Sequence, residues 1–99
     1  MSREYTKQEC VDMFMEYVMS LVSYWANVEG SKEWVLHGLL HSILVVFDGE
    51  AAALPAFDLV PSPHPDDKQY HIDNGENYWP EDMHMNDETY LHDIMKRYE

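Results

Sequence analysis

One uninterrupted amphipathic pattern, running from Thr6 to Val28, constrains the architecture of this chain more than any other feature. Thr6-Lys7-Gln8-Glu9 has the spacing of a capping box, in which the threonine hydroxyl and the glutamate carboxylate satisfy each other's unpaired backbone amides. Val11, Phe14, Val18, Leu21, Trp25 and Val28 then recur at intervals of three and four, with Glu9, Asp12, Glu16, Ser20, Ser23 and Asn27 on the opposite side. This predicts a helix that stops at Gly30. Its apolar arc is wider than one seam needs, because Cys10, Met13 and Tyr17 flank it on one side and Met15, Met19 and Val22 on the other. A surface helix needs an arc of roughly 100° for its own core, so the surplus predicts a second partner surface and a homodimer through this helix.

Gly30-Ser31 reads as a stop followed by a new N-cap, so a second helix is expected to fold back antiparallel and run to about Phe47. Ile43-Leu44-Val45-Val46-Phe47 is β-branched enough for a strand. The helical period of Trp34, Leu36, Leu39, Leu40, Ile43, Leu44 and Phe47, unbroken from the cap, favours helix. Beyond Gly49 the pattern changes. Ala56-Phe57-Asp58-Leu59-Val60 alternates as a short strand does, and Pro61-Ser62-Pro63-His64-Pro65 then restricts it to an edge. Gln69-Tyr70-His71-Ile72 is a second strand candidate before the turn residues Asp73-Asn74-Gly75. Tyr78-Trp79-Pro80 is expected to pin a loop onto the core, and Asn86 to cap a final helix carrying Tyr90, Leu91, Ile94, Met95 and Tyr98. The expected fold is a single α+β domain over residues 1–99, mainly α: an antiparallel helix pair, a strand-bearing proline-rich middle and a C-terminal helix.

Charge narrows the function classes. Nineteen Asp and Glu against six Lys and Arg give −13, which argues against direct binding to nucleic acid or to an anionic membrane surface. The acid is unevenly placed: residues 48–93 carry −11 and residues 1–47 only −3. A surface of carboxylates can occupy the cationic groove of a nucleic-acid-binding protein, although excess acid also serves plain solubility. The lone Cys10 allows no internal disulfide and no cysteine zinc site, and reads as a small buried hydrophobe. The first residues lack a secretory pattern, and no apolar run is long enough to span a bilayer, so a cytoplasmic location is expected.

His37 and His41 lie four apart on one helix face, with Asp48 seven residues further along the same stripe. This is a partial site for a divalent metal such as zinc, which His64 or His71 could complete from the loop. Position 38 is Gly where a zinc metalloprotease helix needs Glu, so that hydrolase signature fails. The plainer reading makes both histidines half-buried helix residues hydrogen-bonded to acidic loops. Similarly, His64-Pro65-Asp66-Asp67-Lys68-Gln69-Tyr70-His71 puts two carboxylates and two imidazoles within eight residues and could bind a cation, or could be a helical turn with Pro65 at the first position and Asp66 and Asp67 complementing the dipole. His84 and His92 have no companions at ligand spacing and read as surface residues. Ser42 faces away from His41, and no glycine-rich phosphate loop is present. Tyr78 and Trp79, beside Asn77 and Pro80, suit a partner surface.

The block from His41 to Gly49, with Leu54-Pro55-Ala56-Phe57-Asp58-Leu59-Val60-Pro61, Pro63-His64-Pro65-Asp66-Asp67-Lys68 and Asn74-Gly75-Glu76-Asn77-Tyr78-Trp79-Pro80, resembles small uncharacterised proteins of bacteria and their phages. The resemblance covers roughly residues 34–80. It implies a phage or prophage accessory role, including inhibition of a host protein, and carries no reaction or cofactor with it. The expectation is a non-enzymatic acidic interaction protein that contacts another protein, possible nucleic-acid mimicry included, through Asp66, Asp67, Tyr78, Trp79, Glu81 and Asp82. The alternative is a small metal-binding protein or metal-dependent hydrolase built on His37, His41 and Asp48.

Overall fold

In a computed structural model, which describes residues 2–99, the chain is helical. Helix α1 spans Lys7–Ala26 and α2 spans Lys32–Phe47. A short α3, Asp67–Asp73, sits between two long irregular segments. A single turn α4, Leu91–Ile94, continues as a 3₁₀ turn over Met95–Tyr98.

The first two helices form as the sequence predicts. Thr6 Oγ1 accepts from the Glu9 amide at 3.2 Å and Glu9 Oε1 accepts from the Thr6 amide at 2.9 Å, which completes the capping box. Arg3 adds a bidentate pair to Glu9 at 2.7 and 2.8 Å. Ser31 Oγ caps α2 by accepting from the Trp34 amide at 3.1 Å. Residues 43–47 lie within α2, so the β-branched run stays helical. Phe14 of α1 stacks on Phe47 of α2, with ring centroids 6.4 Å apart, and takes the edge of Phe57 at 5.4 Å. Near the other end of the pair Trp25 lies across α2. Its indole N–H donates to Ser42 Oγ at 2.8 Å, and its ring fills the space where a Cβ on residue 38 would stand, 2.4 Å from ring carbons. Gly38 is therefore the residue that lets an indole rest against α2.

The α+β expectation is wrong: the described residues contain no strand. Residues 69–72 belong to α3, where Asp66 and Asp67 stand at the helix start as dipole complements instead of metal ligands. Residues 56–60 run through the structure with no partner strand. Their backbone groups are satisfied by a helix end, a side chain and a loop amide: the Phe57 amide donates to Phe47 O at 3.0 Å, the Leu59 amide to Asn86 Oδ1 at 3.0 Å, and Leu59 O accepts from the Met85 amide at 2.8 Å. Alternation matches a strand, but Pro55 and Pro61 bracket the segment, and no run among the described residues pairs with it as a ladder.

Asn86 is also corrected. It does not cap the last helix, which begins five residues later. Its amide instead ties three distant backbone groups, donating to Phe57 O at 2.8 Å and Phe47 O at 3.3 Å while accepting from Leu59. Two further expectations fail. Cys10 is exposed, and Tyr78 and Trp79 stand in solvent, Trp79 at 63% exposure, so this loop is not pinned by them.

The buried apolar residues among those described are Val46 and Ala51, both near the C-terminus of α2. Gly49, at φ 81, turns the chain there so tightly that Ala56 lies against it. The accessible surface is 8207 Å² and the radius of gyration 17.4 Å. A folded monomer of 11.7 kDa exposes about 5,900 Å² and one of this length has a radius near 13 Å. The chain thus leaves about 2,300 Å² more surface in water than a self-contained globule would.

Candidate functional site

The C-terminal segment, α4 and the 3₁₀ turn, packs against α2 and encloses with it a cavity of about 500 Å³. Its walls are Trp25, Trp34, His37, Gly38 and His41 from the helix pair, and His92, Asp93, Met95, Lys96 and Glu99 from the C-terminal side. The four-residue spacing of His37 and His41 turns both to this side, as the sequence predicts.

Asp48, the residue after α2, holds the two sides together. One of its carboxylate oxygens, Oδ2, accepts from the backbone amide of His92 at 2.9 Å and pairs with His92 Nδ1 at 2.7 Å. The first contact caps α4 from a residue 44 positions away, in place of the local cap that Asn86 does not make. The Asp48 side chain is inaccessible to solvent, and its Oδ1 has no hydrogen-bond partner. Burial pushes this carboxyl up, but the His92 amide, the His92 ring and the Leu91 amide outweigh it and hold the group below the ordinary carboxylate range. With Asp48 as acceptor, Nδ1 carries the ring proton. Nε2 then stands on the cavity side, 3.3 Å from Asp93 Oδ1. The ring of His41 meets that of His92 edge-on, with centroids 5.5 Å apart.

This arrangement orients an imidazole, which is one part of an acid-base or nucleophilic site. The other parts are missing. Ser42 Oγ is occupied by Trp25, and among the described residues no hydroxyl or thiol is hydrogen-bonded to His92. Nor are the proposed metal ligands assembled: Asp48 is taken by His92, while His37 faces Glu99 at 3.4 Å and Glu33 at 4.0 Å. His64 pairs with Asp66 at 3.8 Å and His71 with Glu76 at 3.4 Å, so neither supplies a third ligand. No group of three His, Cys, Asp or Glu side chains among the described residues is placed to hold a metal ion. The pair that matters here, Asp48 with His92, had no sequence signal, because neither spacing nor local pattern links positions 44 apart.

The acidic residues occupy the other candidate surface. Asp66, Asp67, Glu81 and Asp82 are exposed, together with Tyr78 and Trp79. Lys68 Nζ lies 5.5 Å from the centroid of the Tyr78 ring, which draws the α3 turn toward the aromatic loop. Asp82 adopts φ 57, a left-handed conformation that costs a side-chain-bearing residue energy and turns the chain sharply within this loop. His84 is 3.1 Å from Asp58. No helix among the described residues is long and apolar enough to cross a membrane. No protein-family model, curated protein or solved structure matches the chain.

Proposed function

We propose that this is a non-enzymatic interaction protein whose acidic, aromatic-bearing segment binds a cationic partner protein. The observation that carries this reading is the exposure of two large aromatics, Tyr78 and Trp79, among Asp66, Asp67, Glu81 and Asp82, in segments with little regular structure of their own. Aromatic side chains left in water beside exposed carboxylates combine a desolvation anchor with long-range steering. The net charge of −13 gives that steering its sign. A nucleic-acid-binding protein, whose groove is already shaped for anions, is the partner class such a surface fits. A phage or prophage accessory role, acting by inhibition, follows from the resemblance.

The metal-dependent alternative gains no support from the geometry around His37, His41 and Asp48. The Asp48–His92 pair is better accounted for as a fold closure, since it caps α4 and no hydroxyl or thiol among the described residues is hydrogen-bonded to His92.

Salt-resolved co-purification tests the proposal. Untagged-surface protein is expected to retain nucleic-acid-binding proteins at about 50 mM salt and to release them by about 500 mM, as screening shortens the reach of its charge. The variant Asp66→Asn, Asp67→Asn, Glu81→Gln, Asp82→Asn is expected to lose them at low salt as well. Unchanged binding with unchanged salt dependence in that variant would sink the acidic-surface reading.

A further inference from the structure

We infer that the outward face of α1 is the seam of an antiparallel homodimer, in which a second copy of this chain covers Val11, Met15, Met19 and Val22. These four are exposed at 43%, 48%, 55% and 43%, and their spacing of four, four and three puts them on one stripe beside the core-facing Phe14, Val18, Leu21 and Trp25. The stripe is close to self-complementary. Running two copies in opposite directions sets Val11 against Val22 and Met15 against Met19, with the two-fold axis near residues 16 and 17, the isologous arrangement a symmetric dimer requires.

Three further observations select a second copy as the occupant. The first is area: the chain exposes about 2,300 Å² beyond a monomer of its mass, and a standard stable interface takes about 800 Å² from each partner. The second is charge. Two chains of −13 repel, yet α1 carries only Lys7 against Glu9, Asp12 and Glu16, so approach along α1 brings far less like charge together than approach through residues 48–93, which hold −11. Asp12, which borders the stripe, already accepts from Gln8 Nε2 at 2.8 Å. The third is length: a helix of 20 residues is about 30 Å long, enough for the four side chains and their symmetry mates to interdigitate along a single seam. The acidic segment proposed to bind another protein lies outside this seam and stays free in the dimer.

Light scattering on untagged protein between about 1 and 100 µM, a range that brackets the micromolar affinity of a modest dimer, tests the inference. Wild type is expected at twice the 11.7 kDa chain mass at the upper end. Met15→Lys with Met19→Lys is expected at one chain mass with its helical circular dichroism intact. Should that variant unfold, Met15→Ala with Met19→Ala serves instead, with at least a roughly tenfold weaker dimer expected. Leu36→Lys with Leu40→Lys, on the exposed side of α2, is expected to remain dimeric. Wild type at one chain mass throughout, or a lysine variant of α1 still at two, would overturn the seam, as would dissociation by the α2 variant. The acid-neutralising variant used above is expected to keep the dimer mass, so failure of partner binding and failure of dimerisation are read separately.

Discussion

The end of α2 and the outward side of α1 use similar apolar side chains and leave them in opposite situations. At the end of α2, Val46 is sealed, Phe47 is stacked on Phe14, and Asp48 and Asn86 tie the surrounding backbone from both sides. Along α1 no residue is fully buried, and four apolar side chains of one stripe face water. The difference lies in what each region is given to pack against. Two long segments return to the end of α2, and polar side chains fix them there by accepting and donating at backbone groups that would otherwise be orphaned. Among the described residues, none covers the Val11, Met15, Met19 and Val22 stripe of α1. Closure in this protein is thus local to one knot, and the helix that dominates the sequence pattern is the less finished half.

Breaking the knot is expected to have the largest effect. His92→Ala removes the ring that faces the Asp48 carboxylate and leaves a buried charge supported by backbone amides alone, a loss of about 3–5 kcal/mol by urea denaturation. Against a typical total of about 5–15 kcal/mol this is a large share of the stability. A loss below about 1 kcal/mol would mean that the knot is not what closes the fold. The same carboxylate makes a pH prediction. Because its folded pKa lies below its unfolded value of about 3.9, its contribution is complete above that value and is lost as pH falls through the folded pKa. The urea midpoint should therefore fall below about pH 4 in wild type, and fall less steeply in Asp48→Asn. Glu9, held at about 2 by Arg3 and the Thr6 amide, titrates in the same acid window and persists in both proteins.

Asn86→Ala comes next. It strands the Leu59 amide and removes donors to Phe47 O and Phe57 O, a loss of about 1–3 kcal/mol. Released amide protons at Phe57 and Leu59, seen by hydrogen exchange, would place the damage in the knot. Gly38→Ala is expected to cost less on balance. The new Cβ collides with the Trp25 ring, an overpacking cost of about 1–3 kcal/mol, while alanine returns about 1 kcal/mol of helix propensity. A net loss of about 1 kcal/mol, with a change in tryptophan fluorescence, is the expected outcome; a gain in stability would mean that the indole does not sit against α2.

What the sequence made legible divides along the same line. The helix pair could be read because its signals are local: two caps within three residues of their amides, and a period that every turn repeats. The knot could not, since Asn86 meets partners 27, 29 and 39 positions away and Asp48 meets His92 across 44. Asn86 satisfies a local rule for a cap, and His92 matches no ligand spacing, so local pattern points each to a role other than the one its distant partners give it. The alternation over residues 56–60 failed for a related reason. Period two reports which side chains face inward, and an extended segment docked on a helix end needs that as much as a strand does. The acidic surface residues were recognisable from charge alone, and the cavity side of His37 and His41 from their spacing, but the occupancy of Asp48 was not.

The smallest expected effect is at Met19, and its dependence on concentration separates the two regions most cleanly. Met19→Gln replaces an exposed side chain by a polar one of similar length, so in dilute protein, where the chain is a monomer, stability should change by no more than about 0.5 kcal/mol. With a second copy bound, the same side chain is covered, and association adds stability by mass action that grows with protein concentration. Wild type should therefore melt at a temperature that rises between about 1 and 100 µM, while Met19→Gln should show a flatter dependence. His92→Ala should keep the wild-type slope at a lower melting temperature, because the knot is finished within one chain. Equal slopes for wild type and Met19→Gln would mean that the outer face of α1 is finished too, with its methionines simply tolerated in water.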